Sequence, residues 1–371
     1  MKKQKICIIG GSLAGLTTAI SLSKLNCDID LITGNIKKNA GSNRTIAISE
    51  SNLNFLKKLN ISPTITEECW PCSKIELYTN DRKENFSKIF EFNSPNKEKK
   101  VFYMLENKKI LNLMIKKIKK IKTISLKKNE KIEEIKKSGL LNSIKFNKNH
   151  YTYNLIIICS GSNSNLVKNL FNKKIIENSY KETSITLTLD HSSLKNDIVR
   201  QVFFDNEILA FLPISKTQTS VVWSVKKNLY EKNNLIIKNK IKKYANKYLK
   251  NISFPSKIEF RDINFLIRNK YYKDRILLFG DALHVVHPFV GQGFNMILRD
   301  LLSLENLLSN KINLGLDIGS SDILSEFTKI TKPRNFIYSV GIDLMKNSFS
   351  INNQVVKKIR NSVLKKLNNN N

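Results

Sequence analysis

The sequence lacks any apolar run long enough to cross a lipid bilayer. The longest one, residues 155–159 with their neighbours, is far shorter than the roughly 18 to 20 residues that a membrane-spanning helix needs. The basic N-terminal residues lead directly into an apolar strand at residues 6–9, which leaves no room for a signal or transit peptide. We therefore expect a cytoplasmic protein, with at most peripheral contact at the inner face of the cell membrane.

Histidine and paired cysteine are also scarce, since the chain has four His and five Cys. Cys69 and Cys72 have the spacing of a thioredoxin-type redox pair, but they follow an irregular, Pro-containing stretch instead of opening a helix after an early strand. We interpret this spacing as coincidental. Because no second Cys pair lies nearby, the sequence does not support a zinc site, and we expect no metal.

Acidic residues are few: 31 stand against 63 Lys and Arg, which gives a formal net charge of +32. A charge of this size raises the question of a nucleic-acid partner. However, only nine of the basic residues are Arg, and the Lys is spread over the whole length together with Asn and Ile. No basic stripe, RNA-binding signature or zinc-finger spacing accompanies it. We expect no nucleic-acid partner and favour attraction to an anionic membrane surface.

The 371 residues, 41% of them hydrophobic, can bury a large core and suggest two or three domains. Residues 5–33 have the pattern strand, glycine turn, helix, strand, which is typical of a βαβ unit. Residues 183–225 are rich in strands and predict an antiparallel sheet with one face on the core. The chain then returns to a buried strand at residues 275–280 and continues as helices. This order implies an α/β fold in which a first domain is interrupted by a second sheet and is then completed by the later part of the chain.

The turn at residues 10–15 joins the first strand to the first helix. Backbone N–H groups and the positive end of the helix dipole can hold a pyrophosphate at such a turn. The middle glycine of the usual G-x-G-x-x-G pattern is Ser12, and the acid that commonly binds a ribose hydroxyl is missing, because its position falls at about Thr33. A plain turn in an α/β core is the alternative interpretation.

Residues 280–295 form a more informative constellation. Asp281 follows the buried strand, where it can accept hydrogen bonds from a chain of cofactor hydroxyls. Pro288, Gly291 and Gly293 let the backbone approach a flat ring and lead into a helix whose N–H groups point back at it. Such a site favours an electron-rich, transiently anionic ring. The segment resembles the second FAD-binding motif of the aromatic-ring flavin hydroxylases, with the pattern G-D-x-x-H-x-x-x-P-x-x-G-Q-G-x-N intact.

Other segments resemble the ubiquinone-ring branch of that family. Residues 44–49 match its R-T-x-A-L-S segment, and residues 102–111 match G-Y-V-V-E-N-R-x-L with Lys108 in place of Arg. Residues 209–214 and 221–223 are similar to its A-L-L-P-L and V-W strands. These matches extend in order from residue 5 to about residue 349. One departure stands out, because Ser160 replaces the acid of the family's middle Asp-Gly motif, just before Gly161.

The resemblance implies an α/β flavoprotein, with a Rossmann-like FAD-binding domain, an inserted antiparallel-sheet substrate domain and a helical C-terminal tail. Reduced nicotinamide, NAD(P)H, would reduce the FAD, and O2 would supply the oxygen for hydroxylating the ring of a polyprenylated phenol or quinone precursor of ubiquinone. The predicted domains are 1–70, 101–178 and 267–325 for FAD binding, 71–100 and 179–266 for the substrate, and 326–371 for the tail.

Two other functions remain open at this point. The departures at Ser12, Thr33 and Ser160 suggest a non-catalytic flavin-binding scaffold subunit of a ubiquinone-synthesis assembly. A different flavin oxidoreductase of the same fold, such as a prenyl-chain reductase, is the second alternative, because a fold alone does not determine a reaction.

The predicted site follows from the same motifs. His284 and His287 either hold their loop by hydrogen bonds to the backbone or handle protons beside the flavin. We predict His287 and Pro288 as the catalytic pair. The tail at residues 353–367 has the spacing of an amphipathic basic helix, suited to a membrane surface or a partner protein, or else packed on its own domain. The predicted cofactor contacts are Gly10, Ser12, Leu13, Ala14, Gly15, Thr33, Arg44, Lys108, Gly161, Asp281, Gly291, Gln292, Gly293, Phe294 and Asn295.

Overall fold

A six-stranded sheet forms the first layer of the computed structural model, which describes residues 3–34, 42–80, 86–94, 99–171, 175–204, 207–228, 232–288 and 291–350. Five of its strands are parallel, and the sixth pairs antiparallel at one edge. Parallel strands buried on both faces are continuously apolar, as residues 6–9 and 155–158 of this sheet are. In spatial order the strands are β18 (Tyr272–Lys273), β19 (Ile276–Leu278), β12 (Leu155–Ile158), β1 (Gln4–Ile9), β2 (Cys27–Thr33) and β8 (Ile124–Lys128).

Three helices pack with this sheet. Helix α1 (Leu13–Leu22) follows β1 directly and is buried along nearly its whole length. It contacts α3 (Asn107–Ile118) and α6 (Gln292–Asn313). Together with the strands they enclose the largest apolar cluster, which includes Leu16, Met114 and Leu301. This cluster fixes α1 against the sheet, so the turn before α1 is held in place.

An eight-stranded sheet forms the second layer, and it is antiparallel except for one parallel pair, in which residues 198–203 pair with residues 74–79. Alternate residues of its strands face opposite sides: Leu209 and Phe211 pack toward α5 (Asn234–Ala245), and Ile208 and Leu212 pack on the other face. In spatial order the strands are β20 (His284–Val285), β17 (Glu259–Arg268), β13 (Ile175–Asp190), β16 (Gln218–Lys226), β15 (Glu207–Pro213), β14 (Ile198–Phe203), β5 (Lys74–Asn80) and β6 (Phe86–Asn93).

Two three-stranded sheets and two short helices complete these layers. Helix α2 (Glu50–Lys58) begins after Ser49, whose hydroxyl accepts a hydrogen bond from the Asn52 N–H. Helix α4 (Asn165–Leu170) follows β12. One small sheet consists of β3 (Thr45–Ile48), β7 (Phe102–Glu106) and β4 (Trp70–Cys72), and the other of β11 (Asn149–Tyr153), β10 (Leu141–Phe146) and β9 (Glu134–Ser138).

The last described element is the long helix α7 (Ser321–Ser350). Its C-terminal part covers the eight-stranded sheet, where the ring of Phe349 stacks on Phe203 with centroids 3.6 Å apart. Among the described residues, no helix is both long and apolar enough to span a bilayer. The predicted α/β fold, with its antiparallel sheet and helical C-terminal region, is confirmed. The predicted basic helix at residues 353–367 lies outside the described residues.

Candidate functional site

The carboxyl ends of three neighbouring strands meet at one edge of the parallel sheet. Ile9 of β1 pairs with Ile158 of β12, which pairs with Leu278 of β19. Two hydrogen bonds continue this register beyond the strands, from Cys159 N to Ile9 O at 2.7 Å and from Phe279 N to Ile158 O at 2.9 Å. The loops that follow the strands are therefore brought side by side, although they are about 150 and 120 residues apart in sequence. Ligands of open α/β sheets bind at this edge.

The glycine turn between β1 and α1 leaves no room for side chains at two positions. Gly10 has a positive φ of +135°, and a Cβ there would lie 2.6 Å from the Cys159 carbonyl oxygen. A Cβ at Gly15 would lie 2.0 Å from the Gly10 carbonyl oxygen. Ser12 is the N-cap residue of α1, but its side chain makes no capping hydrogen bond to the helix. Its hydroxyl lies instead 3.4 Å from the same Cys159 oxygen. The N–H groups of the first helical turn, at Leu13, Ala14 and Gly15, have no partner inside the helix and can bind an anion.

A cleft of about 500 Å³ opens beside this turn. Gly161, just after β12, has a φ of +83°, so its backbone turns sharply at the cleft. Thr33 at the end of β2 does not line the cleft, because its side chain is buried and its hydroxyl lies 3.4 Å from the Lys127 carbonyl oxygen. The cleft is lined by Gly10, Ile32, Gly34, Ser160, Ser164 and Glu130, among others.

Arg44 lies near Asp281, which follows β19 at the same edge of the sheet. Its side chain is reached by solvent, yet crowding by protein and the positive charge of Arg261 lower its pKa, while Asp281 and Glu259 oppose this shift. Asp281 is exposed in the short turn after β19. Two guanidinium groups and two carboxylates thus lie near each other, a set that suits a ligand with both phosphate and hydroxyl groups.

Lys108 is brought next to Arg44 by the pairing of β3 with β7. Thr45 pairs with Glu106, and the Asn107 N–H donates to the Arg44 carbonyl oxygen at 2.8 Å. Lys108 is exposed in the first turn of α3. The two basic residues that the sequence selected separately are therefore neighbours.

The glycines before α6 shape the other side of the site. Gly291 precedes the helix in the left-handed region, with a φ of +65°, and a Cβ there would lie 3.0 Å from the Ala47 Cβ. A Cβ at Gly293 would meet nothing within 4 Å, so this face is open. Gln292 is half-buried between them. The backbone here can lie close to a flat ring.

Phe294 and Asn295 direct their side chains into the protein. Phe294 belongs to the main apolar cluster. The Asn295 side-chain oxygen accepts hydrogen bonds from Ser49 N at 3.0 Å and from the Asn52 amide at 2.8 Å, and its nitrogen donates to Ala47 O at 2.8 Å. The Asn295 side chain therefore fastens the segment between β3 and α2 against the start of α6.

Both histidines of the loop before α6 are buried and bonded to carboxylates, whereas the backbone was one of the expected partners. His284 Nε2 lies 3.4 Å from Asp300 Oδ2. His287 Nε2 lies 3.2 Å from Glu182 Oε2, and the Lys346 ammonium lies 2.6 Å from the other oxygen of Glu182. Pro288, which follows His287, is exposed. His287 thus links the loop to β13 and to α7.

The Glu182 contacts predict a pH-dependent stability. Burial raises the pKa of Glu182, but hydrogen bonds from His287 and Lys346 lower it by more, while burial lowers the pKa of His287. Both groups release protons more readily in the folded chain, so their stabilisation is present at neutral pH. It is lost as the pH falls below the ordinary values of 6.5 for His and 4.5 for Glu. Glu182→Gln should cost about 3 kcal/mol at neutral pH, because it removes the carboxylate that pairs with Lys346.

This deficit of Glu182→Gln should shrink as the pH falls below 4.5, because the Glu182 carboxyl of the unfolded chain is protonated there and that of the folded chain is protonated at still lower pH. Urea unfolding of both proteins across the acidic range measures it. Glu134→Gln, which breaks an exposed pair with Lys136, is the control and should cost less than about 1 kcal/mol throughout. A Glu182→Gln deficit that stays constant with pH would contradict this account.

Three residues of this region were missed by the sequence analysis. The Arg268 guanidinium is buried and donates to three backbone carbonyls, those of Ala282 at 2.8 Å, Phe171 at 3.1 Å and Ser162 at 3.4 Å. It ties the loop after β12 to the turn after β19. A basic residue closing an apolar strand is the signal that could have found it. Glu182 and Lys346 give no such signal, because the partners are 164 positions apart.

The cysteine pair gives no sign of redox chemistry. All five cysteines are free and buried. Burial raises the pKa of the Cys69 thiol to about 12, and it also raises the pKa of the Cys72 thiol. A thiol with a raised pKa is a poor nucleophile. In the described part of the chain, no group of three His, Cys, Asp or Glu side chains could hold a metal.

The chain belongs to the FAD binding domain family, whose model matches residues 3–315. It is 22% identical to the "Ubiquinone biosynthesis monooxygenase COQ6, mitochondrial" of Dictyostelium discoideum, over 98% of this chain and 88% of that protein. It is 21% identical to the "3-demethoxyubiquinol 3-hydroxylase" of Escherichia coli strain K12, over 96% of this chain and 93% of that one. The fold is also that of Klebsiella pneumoniae HpxO, solved with FAD and uric acid, at a TM-score of 0.76 and 13% identity over 98% of this chain and 93% of that one.

FAD is the cofactor, and the residues at the site suit it. The glycine turn provides a close backbone approach at Gly10 and Gly15 and free N–H groups for a diphosphate. Arg44 and Lys108 add positive charge, and Asp281 is an exposed hydrogen-bond acceptor at the strand end. The open backbone at Gly293 leaves space for a planar ring system. The predicted family and cofactor are both confirmed.

Proposed function

We propose that this protein hydroxylates the aromatic ring of a polyprenylated ubiquinone precursor, a phenol or quinone, with FAD as cofactor and NAD(P)H and O2 as co-substrates. The observation that supports it most is the match, over nearly the whole chain, to two relatives whose names describe ubiquinone-pathway oxygenation. The intact motif at residues 280–295, whose described residues begin at the carboxyl end of β19, supports it further.

FAD, when bound, supplies the redox chemistry that takes electrons from nicotinamide and activates O2. The protein binds and orients it. We assign the diphosphate to the turn from Gly10 to Gly15, including Ser12, Leu13 and Ala14, with Arg44 and Lys108 as cations. We assign hydroxyl groups to Asp281 and to the backbone at Gly161 and near Thr33. The flat ring belongs at the turn formed by Gly291, Gln292, Gly293, Phe294 and Asn295.

His287 and Pro288 are the residues that we assign to the reacting side of the site. Burial keeps the pKa of His287 low, so its ring is neutral at physiological pH. Its Nδ1 is buried without a hydrogen-bond partner among the described residues, and in a neutral ring whose Nε2–H donates to Glu182 this nitrogen is unprotonated and able to accept a proton. We propose that His287 positions Pro288 and the backbone beside it against the ring system.

We propose the division into an FAD-binding domain (1–70, 101–178 and 267–325), a substrate domain (71–100 and 179–266) and a helical tail (326–371). An apolar cluster supports the assignment of the antiparallel sheet to substrate binding. It joins Met104 and Phe203 to Ala47, the residue that Gly291 approaches most closely. Apolar walls beside the ring would hold an aromatic substrate and exclude water.

The test uses the full chain loaded with FAD. NAD(P)H oxidation and O2 uptake are measured with and without a short-chain prenylphenol, and the product is analysed after reaction under isotope-labelled O2. We expect substrate-stimulated oxidation and one labelled oxygen in the ring. Bound FAD without turnover would instead favour a scaffold subunit, and reduction of the substrate without O2 uptake would favour a reductase. Comparing NADH with NADPH identifies the donor.

A further inference from the structure

The long helix α7 has an inverted distribution of polar and apolar residues. Thr331, Asn335 and Ser339 are fully buried, and Lys346 is 6% exposed. Large apolar side chains lie instead on the outside. Surface helices normally bury their apolar stripe, so an exposed one indicates an interaction surface. The exposed fractions are 43% for Ile330, 47% for Phe336, 68% for Ile337, 49% for Tyr338, 63% for Leu344 and 41% for Met345.

The polar side of α7 is held inward by specific bonds. Asn335 donates to Asp300 at 2.6 Å and accepts from Arg299 at 2.7 Å. Lys346 pairs with Glu182. Rotating the helix to bury the apolar stripe would break these buried bonds and expose charged partners. The orientation of α7 is therefore fixed, and its apolar side is left for a partner.

The exposed apolar side chains recur along one side of the helix. Ile330, Ile337 and Leu344 are seven residues apart, which is close to two helical turns, so they lie above one another. We call these three residues, with Phe336, Tyr338 and Met345, the α7 apolar face.

Cations flank the α7 apolar face on both sides. Lys329 is exposed on one side, and Lys332 reaches Asn269 there, beside the exposed Lys270 and Lys273. On the other side, the Arg299 guanidinium lies 4.3 Å from the Tyr338 ring centroid, and Arg334 bonds Ser303. The acidic residues of α7 lie elsewhere or are bonded: Asp322 and Glu326 are in its first turns, and Asp343 accepts from Tyr180.

We propose that the α7 apolar face docks on the surface of an anionic lipid bilayer. Apolar side chains between cations are what such an interface binds, because the chains enter the acyl boundary while Lys and Arg meet the headgroups. A second copy of this chain fits less well, since it would bring the flanking cations of both copies together. The formal net charge of +32 acts in the same direction.

This proposal deepens and rests on the proposed function, in which the substrate carries a polyprenyl tail and so dissolves in the bilayer. The inner side of α7 contacts the site through Lys346 and Glu182, which bonds His287. One helix therefore connects the docking face with the loop beside the reacting ring.

The test measures sedimentation of the FAD-loaded full chain with vesicles of phosphatidylcholine containing phosphatidylglycerol, and with phosphatidylcholine alone. We expect binding to the anionic vesicles that weakens as salt is added. The double variant Ile337→Ser and Leu344→Ser should bind at least about tenfold more weakly. The matched control is Leu140→Ser with Leu314→Ser, which also replaces two exposed aliphatic side chains with serine, but outside α7, and should bind as the parent does.

Three outcomes would overturn this docking face. The first is equal binding by the α7 double variant, which would place the contact elsewhere, for example at residues 353–367. The second is no vesicle binding by the parent chain. The third is a parent dimer that the α7 variant dissociates, measured by analytical ultracentrifugation. Hydroxylation of a water-soluble short-chain prenylphenol should be unaffected by the variant. Vesicle binding without any hydroxylation would contradict the proposed function and leave the docking face standing.

Discussion

Gly15→Ala should purify without FAD. The new Cβ would lie 2.0 Å from the Gly10 carbonyl oxygen, a separation that real Cβ atoms do not adopt, and that oxygen belongs to backbone. Either α1 must move away from β1 or the turn must change its path, and both displace the N–H groups that suit the diphosphate. We expect the affinity for FAD to fall by about 100-fold or more, which corresponds to roughly 3 kcal/mol. Visible flavin absorbance after purification and a fluorescence titration with added FAD measure this loss.

Gly341→Ala is the matched control for this change. Gly341 also lies within a helix, but a Cβ there would meet nothing within 4 Å. Replacing an exposed helical glycine with alanine should stabilise the chain by about 0.5–1 kcal/mol and leave FAD bound. Circular dichroism separates a loss of the cofactor from a loss of the fold. A folded Gly15→Ala protein that retains FAD at the parental affinity would refute the role of this turn.

The sequence could predict those parts of the site that are marked by a pattern of residues close together in the chain. The turn at residues 10–15 and the segment at 280–295 each follow a strand and open a helix, so their position at the sheet edge follows from local patterns. The antiparallel sheet was predictable because its strands alternate or are rich in β-branched residues. Arg44 and Lys108 each belong to a segment that can be recognised in the sequence. A single strand pairing, of β3 with β7, makes them neighbours.

The remaining features depend on contacts between distant residues. The sequence pattern marks Asn295 for the cofactor, but its amide is directed to Ala47 and Ser49, which no spacing reveals. The end of β2 was expected to approach the ribose, yet the Thr33 side chain faces the core. The sequence also did not predict that α7 buries its polar side, because those polar residues are buried against bonding partners on β13 and α6. Hydrophobic periodicity alone would have predicted that the apolar side of this helix faces the protein interior.

Arg268→Met should weaken FAD binding from a position outside the predicted contacts. The guanidinium is buried and donates to carbonyls at the ends of two loops, after β12 and after β19. Methionine is similar in length but donates nothing, so these carbonyls lose their donor, at a total cost of about 3 kcal/mol or more in the free energy of unfolding. Because the loops contain Gly161 and Asp281, we expect the affinity for FAD to fall at least about tenfold as well. Urea unfolding and FAD titration give the two quantities.

Arg275→Met separates a general loss of stability from a loss at the site. Arg275 also donates to a backbone carbonyl, that of Asn154, and pairs with Asp317, but it precedes β19 and therefore lies at the opposite edge of the same sheet. Its replacement should lower the free energy of unfolding while FAD affinity stays within about twofold of the parent. Arg268→Lys, which keeps the charge but loses the planar donor set, should fall between the parent and Arg268→Met. If both Met variants lose FAD in proportion to their lost stability, Arg268 has only a structural role. A loss confined to Arg268 means that the two loops must be tied together for the strand edge to bind the cofactor.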